Sequence, residues 1–373
     1  MKGLKLFRVL GIQISVNYTW FIVFGLIGWS LASGYFPSRY PDLSAPAHWV
    51  MGFLGAFFLF LSVLVHELTH SYIAKKEGIE VKEITLFLFG GVSQLSKEPE
   101  DSKKELKVAI VGPLSSLVLA LVFWVLFRAT LRAPHLILFT GLLGYLAVIN
   151  LSLAIFNLIP GFPLDGGRVL RAIYWKKTGS LKKATRIASE TGKWIGVGII
   201  LLGLFWILTG NLIGGFWFVI IGIFLRSTAE MGFQQVVMKG ALEGVKVREL
   251  MSHGAISVPP FLSISELVEG FYLTHKHITY PVMERERIIG IITLKQVREV
   301  SREQWKEKTV REVMMPIREE MMLDPDGEAV DALQKMIRTG EGRLPVVKDG
   351  KAVGMITRKD ILNLLQIKTD LAE

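Results

Sequence analysis

The chain has 373 residues, a formal net charge of +10 and no cysteine. Disulfides and thiolate metal sites are therefore excluded, and any metal must be held by His, Asp or Glu. Hydrophobic residues make up 51% of the chain and fill long runs up to about residue 230, several near or above the roughly 20 residues that span a bilayer. The basic residues flank these runs, which indicates membrane topology and lipid contact and not nucleic-acid binding, because no basic and aromatic surface recurs in the tail.

The first apolar span runs from about Ile12 to Ser33 and follows a basic start. A cleaved signal peptide is the alternative, since residues 31–33 loosely resemble a cleavage site, but the span is longer than a usual signal core. We therefore predict a retained helix that leaves from a basic cytoplasmic end. An external loop is expected over residues 34–48.

The second span, about Trp49 to Ala74, contains His66, Glu67 and His70 in the run LSVLVHELTHSYIA. Polar side chains are costly there and usually functional. Histidines four residues apart on a helix can reach one ion, and the glutamate between them can act as general base on a zinc-activated water. By helix rise the histidines lie about 8 and 13 Å inside the basic end, nearer the cytoplasmic face. The alternative is a set of hydrogen-bonded polar residues within a helix bundle.

The segment Val81 to Ser96 is rich in β-branched and aromatic residues and is interrupted by Gly90-Gly91, which predicts a β hairpin. Non-helical backbone at membrane depth must be buried in protein or line a cavity. An edge strand there could pair with an extended peptide. A plain structural hairpin at the membrane surface is equally compatible with the sequence.

Helices three (about 106–131) and four (about 136–158) follow. Helix four ends in NLIPGFPLDGG, where two prolines break the helix and Asp165 falls in an irregular piece. Asp165 is the best candidate for a third metal ligand, and a solvent-facing Asp-Gly turn is the alternative. Residues 168–193 hold eight basic residues against one acidic residue, which predicts a cytoplasmic loop. With helices five (about 194–208) and six (about 212–225), both termini are expected inside.

After an expected linker at residues 231–244, the tail repeats itself with a period of about 63 residues. VRELM at 247–251 matches VREVM at 310–314, and GIIT at 290–293 matches GMIT at 354–357. Each copy reads as strand, helix, strand, strand, helix. The two copies are predicted at residues 245–300 and 309–370.

HELTH and NLIPGFPLDGG together resemble the site-2 protease family of intramembrane zinc metalloproteases, over residues 1–230. The resemblance implies one Zn²⁺ held by His66, His70 and Asp165, with Glu67 as the base. It also implies that Asn157 positions substrate or stabilises the tetrahedral intermediate. The alternative for Asn157 is a hydrogen bond between helices. The glycine hairpin at 90–91 fits a family hairpin near the active site, and Gly112-Pro113 fits a family feature that we interpret as packing.

The repeated tail resembles a tandem CBS pair, a module that often binds adenine nucleotides such as ATP, ADP or AMP. In that family a Thr/Ser-x-x-Asp at the last helix contacts ribose and phosphates. Thr357 and Asp360 keep this pattern, whereas Thr293 is followed by Gln296 in place of Asp. At most one standard ribose site is therefore predicted. The sequence is compatible with a homodimer formed through the CBS domains. The alternative to nucleotide binding is a CBS pair that serves only as a dimer contact.

The sequence thus predicts a polytopic α-helical membrane protein with about six transmembrane helices and a small membrane-associated β hairpin, followed by a C-terminal α/β tandem CBS domain. Its expected function is that of a zinc endopeptidase in the cell membrane, which cuts a transmembrane helix of a membrane protein near the cytoplasmic face under nucleotide control. The alternative is a CBS-gated metal-ion channel or transporter with His66, His70 and Asp165 as its permeation site. That alternative gives no role to Glu67.

Overall fold

The computed structural model describes residues 3–87, 90–95, 99–254, 256–285 and 287–370. The chain divides into two compact units, Met1–Val236 and Val237–Glu373. Within the described residues, six helices of the chain are long and apolar enough to cross a membrane. This agrees with the number of spans expected from the sequence.

The first unit contains a four-stranded sheet in the order β1-β2-β3-β4. Its strands are β1 (Leu4–Val9), β2 (Ile12–Val16), β3 (Val81–Phe87) and β4 (Gly90–Leu95). Strand β2 pairs parallel with β3, and the other two pairs are antiparallel. The predicted hairpin is present as β3 and β4, although residues 88, 89 and 96 lie outside the described residues. It is half of a sheet and not an isolated hairpin.

The expected start of the first helix at Ile12 is wrong. Residues 12–16 alternate apolar and polar side chains, and Ile12 and Ile14 are fully buried in strand β2. This period of two is the strand signal that the long apolar run concealed. The helix begins only after Asn17, whose side chain accepts a hydrogen bond from the Thr19 N–H.

The helices of the first unit are α1 (Tyr18–Ser30), α2 (Phe36–Arg39), α3 (Ala45–Lys76), α4 (Ser102–Thr130), α5 (Ile137–Asn157), α6 (Asp165–Thr178), α7 (Leu181–Leu208) and most of α8 (Leu212–Leu242), whose last residues belong to the second unit. A π-helical turn, Leu31–Tyr35, joins α1 to α2, so much of the expected external loop is helical. Helix α8 extends to Leu242, so residues 231–242 of the expected linker are also helical.

The loop expected at residues 168–193 is likewise wrong, because α6 and the first turns of α7 occupy it. The chain breaks only at Gly179, which has a positive φ of 66°, and at Ser180, whose hydroxyl accepts from the Lys183 N–H. Basic side chains such as Lys176 and Lys177 are exposed on the helix surface. Clustered positive charge predicts the side of the membrane that such a segment favours, but it does not exclude helix.

Small and polar residues bring the membrane helices together. A Cβ at Gly52 of α3 would lie 2.6 Å from the Gly28 carbonyl oxygen of α1, so these backbones meet where only glycine fits. The Asn150 amide of α5 donates to the Ser62 hydroxyl of α3 (3.1 Å). Helix α3 also packs against α4. The segment with the two histidines is thus enclosed by neighbouring helices.

The second unit contains α9 (Val247–Leu250), β5 (Ser252–His253), α10 (Ile264–Leu267), α11 (Leu273–His275), β6 (Thr279–Glu284), β7 (Arg287–Thr293), α12 (Leu294–Arg298), α13 (Val310–Val313), β8 (Met315–Pro316), α14 (Ala329–Thr339), β9 (Arg343–Lys348), β10 (Lys351–Thr357) and α15 (Arg358–Asp370). The predicted order of strand, helix, strand, strand, helix is confirmed in both copies. Strand β5 of the first copy pairs with β10 of the second, and β8 of the second pairs with β7 of the first. The two repeats therefore share one six-stranded sheet, in the order β5-β10-β7-β6 with β8 on β7 and β9 on β10.

Candidate metal centre

His66 and His70 lie one turn apart on α3 and are buried, with exposed fractions of 4% and 6%. Their Nε2 atoms are 3.1 Å apart. The i, i+4 spacing places both rings on one face of the helix, as expected. Two ligand atoms thus point to one position.

The other ring nitrogen of each histidine is held by α4. His70 Nδ1 donates to the Val108 carbonyl oxygen (2.6 Å), and His66 Nδ1 lies 2.9 Å from the Ser116 hydroxyl oxygen. A carbonyl oxygen can only accept, so the Nδ1 of His70 carries the proton and its Nε2 is left to bind a cation. Such partners on the far nitrogen orient metal-binding histidines.

Asp165 is brought to the same position from 95 residues further along the chain. Its Oδ2 atom lies 3.0 Å from His66 Nε2 and 3.1 Å from His70 Nε2. The carboxylate is not in an irregular piece, as the sequence indicated, but on the first residue of α6. A Cβ at Gly166 would lie 2.2 Å from the Leu158 carbonyl oxygen. The glycine after Asp165 is therefore needed for the close turn that aims the carboxylate inward.

The three atoms fit a zinc ion. In a tetrahedral site with bonds of about 2.0–2.1 Å, neighbouring ligand atoms lie about 3.3 Å apart, and three protein ligands leave a fourth position for water. His66, His70 and Asp165 place their ligand atoms 3.0–3.1 Å from one another. The lone pair on His70 Nε2 and the Asp165 oxygen repel each other unless a cation lies between them, and a bound metal ion would satisfy all three groups at once.

Gly112 of α4 lies directly against this centre. A Cβ there would be 2.1 Å from His70 Nε2 and 2.7 Å from His66 Nε2. Any side chain at this position would intrude on the candidate ligand atoms themselves. The structure thus places Gly112 at the candidate metal centre, where the sequence indicated only helix packing.

Glu67 points to the sheet beside the centre. Its Oε2 atom accepts a hydrogen bond from the Ser93 hydroxyl of β4 (2.9 Å), and Ser93 Oγ lies 3.2 Å from Ser71 Oγ of α3. A Cβ at Gly91 would lie 2.4 Å from Glu67 Cγ. The glycine hairpin therefore packs on the candidate base, and glycine is needed for this close approach.

Asn157 is the last residue of α5, and the structure does not bring it onto the candidate ligands. Its amide donates to the Leu153 carbonyl oxygen of its own helix (2.9 Å). Among the described residues it makes no hydrogen bond to His66, His70 or Asp165.

In the second unit, Thr357 and Asp360 form a capping box at the start of α15. Asp360 Oδ2 accepts from the Thr357 N–H (2.9 Å) and from its hydroxyl (2.7 Å). Gln296 makes the equivalent pair of bonds to Thr293 through its side-chain oxygen. The replacement of Asp by Gln in the first copy preserves the cap and removes a negative charge.

Sequence reasoning missed Val108, Ser116 and Ser93 as partners of the central side chains. The spacing of Val108, Gly112 and Ser116 places them on one face of α4. That spacing was visible in the sequence, but the partner of the face was not.

Comparisons with known proteins match both units. The sequence model of "Peptidase family M50" matches residues 54–133 and 132–202, and that of "CBS domain" matches 247–303 and 310–367. The "Putative zinc metalloprotease Rip3" of Mycobacterium tuberculosis is 31% identical over 98% of this chain and 93% of its own length. "Zinc metalloprotease MJ0392" of Methanocaldococcus jannaschii is 34% identical over 100% of this chain and 99% of its own. The solved "Site-2 Protease from Methanocaldococcus jannaschii" is 33% identical over 62% of this chain and 95% of its own, with a TM-score of 0.43.

Proposed function

The chain belongs to peptidase family M50, the site-2 proteases, and from that membership we propose that it cuts transmembrane segments of membrane proteins with His66, His70 and Asp165 as zinc ligands and Glu67 as the base. The observation that carries this proposal is the convergence of three ligand atoms within 3.1 Å of one another beside Glu67. The chain is a multi-pass membrane metalloprotease with a tandem CBS pair, which decides against the channel or transporter.

The proposed mechanism divides the work between the metal and the chain. Zinc held by His66, His70 and Asp165 would act as a Lewis acid, polarising the substrate carbonyl and lowering the pKa of bound water to about 7. Ser93 holds one oxygen of Glu67, so the other oxygen takes the proton from the attacking water and passes it to the leaving amine. Asn157, eight residues before Asp165, is proposed to reach the substrate carbonyl when substrate is bound.

Substitution of Glu67 tests the mechanism. Glu67→Gln should retain one zinc per chain and lose cleavage of a reconstituted membrane substrate by about 10²- to 10⁴-fold, the usual contribution of a general base. Glu77→Gln, the same change beyond the end of α3, is the matched control and should cleave normally. Undiminished cleavage by a zinc-loaded Glu67→Gln protein would refute the assigned role.

We propose that substrate binds as an extended strand along β4. Strand β4 is last in the sheet order, and its residues Gly91 and Ser93 contact Glu67 or lie against it. An added strand would form main-chain hydrogen bonds next to the base. Because the chain has no cysteine, a single cysteine introduced into β4 can be cross-linked to single cysteines along a substrate. Cross-links at alternating strand-like positions support this binding mode, and none along the cut segment would refute it.

The cut is proposed to lie near the cytoplasmic face, with both termini in the cytoplasm. Support comes from the basic residues of α6 and the start of α7, and from the uncharged turn 209–211 between α7 and α8. A single cysteine at Asn211 should react with a membrane-impermeant maleimide in intact cells, whereas one at Lys183 should react only after permeabilisation. The reverse pattern would overturn the orientation.

We propose three domains, at residues 1–230, 245–300 and 309–370. We also propose that the CBS pair binds an adenine nucleotide through Thr357 and Asp360, and that this binding modulates cleavage. Asp360→Asn keeps a cap acceptor and removes the charge, so it should weaken ATP or AMP binding measured by calorimetry. Gln296→Glu is the reciprocal control. A pair that only forms a homodimer instead predicts no nucleotide binding and a dimer by analytical ultracentrifugation.

A further inference from the structure

A buried ion pair joins α4 to α6, the helix that begins with Asp165, and takes no part in the mechanism above. Arg171 Nε donates to Glu105 Oε1 (2.7 Å), and the Nη2 group of Arg171 donates to the same oxygen. The exposed fractions are 0% for Glu105 and 6% for Arg171. Glu105 Oε2 has no hydrogen-bond partner within the described part of the chain. Two charges are thus removed from solvent, which is costly for each of them.

The pair joins the two helices that complete the metal centre. Arg171 is on α6, the helix that begins with Asp165, and Glu105 is in the first turn of α4. The buried face of α4 that holds Glu105 also holds the residues next to the two histidines, namely Val108, Gly112 and Ser116. Their spacings of three and four residues place them along one stripe. The ion pair therefore fixes this stripe to the helix that supplies the third ligand.

Arg171 also contacts the turn before Asp165. Its guanidinium lies 5.4 Å from the centroid of the Phe162 ring. The Phe162 N–H donates to the Ala188 carbonyl oxygen of α7 (3.0 Å). One side chain thus links α4, α6 and the turn that precedes the ligand.

Stability is a poor explanation for such a pair. The cost of removing two charges from water largely offsets their attraction, and an apolar pair of similar size is often as stable. We propose that Glu105 and Arg171 are positioning residues, which set the separation of α4 and α6 and so hold Asp165 Oδ2 at ligand distance from both histidines. This inference rests on the proposed ligand role of Asp165.

The test separates zinc affinity from stability in the full-length protein in detergent. In Glu105→Met/Arg171→Met both charges are removed together, so the metal-free protein should unfold at a temperature close to that of the wild type. Its zinc dissociation constant, measured by competition with a chelator, should rise about 10-fold, the lower end of the range seen when direct partners of metal ligands are lost. A folded double variant that binds zinc as tightly as the wild type would overturn the proposal.

Two further variants cover the case in which the double variant does not fold. Arg171→Lys keeps the charge but loses the planar pair of donors, and Glu105→Gln keeps an acceptor. Both should weaken zinc binding, and wild-type affinity in both would overturn the proposal. Lys107→Gln removes the ion pair between α4 and Glu77 (2.7 Å) and should leave zinc affinity unchanged.

The proposed metal site is checked separately with His70→Ala. If the wild type binds one zinc and His70→Ala does not, the site stands, and the pair variants then decide the positioning role alone. If His70→Ala binds zinc as the wild type does, the ligand assignment itself fails.

Discussion

Gly112→Ala adds one methyl group at the metal centre and tests the geometry most directly. The new Cβ would lie 2.1 Å from His70 Nε2 and 2.5 Å from His70 Cε1. Carbon atoms pack at about 3.5–4.0 Å, so the ring or helix α4 must retreat by about 1 Å or more. Metal–ligand distances hold to about 0.2 Å, and a shift of that size removes at least one ligand from bonding distance.

The expected loss is at least 100-fold in zinc affinity, which corresponds to about 2.7 kcal/mol, with cleavage falling in parallel. The assay is zinc competition with a chelator, together with thermal unfolding of the metal-free protein. Gly198→Ala on α7 is the matched control, since a Cβ there meets nothing within 4 Å. This control should bind zinc normally and be slightly more stable, because alanine is the better helix former.

A second control separates packing from metal binding. A Cβ at Gly196 would lie 2.8 Å from the Gly222 carbonyl oxygen, where α7 meets α8. Gly196→Ala should therefore lower the unfolding temperature and leave zinc affinity intact. If Gly112→Ala binds zinc and cleaves substrate like the wild type, the close approach of α4 to the histidines is refuted.

Three other predictions follow from single hydrogen bonds. Ser116→Ala removes the partner of His66 Nδ1 and should weaken zinc binding about tenfold, measured by chelator competition. Ser93→Ala frees the Glu67 carboxylate and should lower kcat about fivefold, as expected for about 1 kcal/mol, with zinc content unchanged. The Thr309 N–H donates to Glu312 and lowers the pKa of that carboxyl from its ordinary 4.5. The ionised Glu312 therefore stabilises the folded state at pH values above 4.5, and this stabilisation is lost as the pH falls through the folded-state pKa. Glu312→Gln should flatten this acid dependence in thermal unfolding.

Ser116→Ala has a matched control, and each of the three predictions has an outcome that would contradict it. Ser115→Ala removes a neighbouring hydroxyl that donates to the Gly112 carbonyl oxygen (2.7 Å), and zinc affinity equal to that of Ser116→Ala would contradict the role of Ser116. Equal kcat for Ser93→Ala and the wild type would remove Ser93 from the orientation of Glu67. Unchanged acid dependence in Glu312→Gln would show that this carboxylate does not contribute.

Features that depend on local spacing were predictable from the sequence. The number of membrane helices follows from run length, and the strand-helix order of the tail follows from its repeat, because both are set by neighbours along the chain. Residues 12–16 and 168–193 were predicted wrongly, because a long apolar run hid a strand in the first case and charge was equated with loop in the second. In both cases the burial of alternate or periodic residues decided the structure.

For the candidate site, the sequence alone determined that His66 and His70 share one helix face with Glu67 beside them, since helical geometry fixes residues four apart. The family pattern pointed to Asp165 but not to its place at the start of α6. Tertiary structure alone decided that Gly112 leaves room for the two histidine rings, that Ser93 holds Glu67, and that a buried ion pair joins α4 to α6. The physical reason is that these contacts join residues far apart in the chain. Which buried polar groups satisfy one another is settled only when the helices pack.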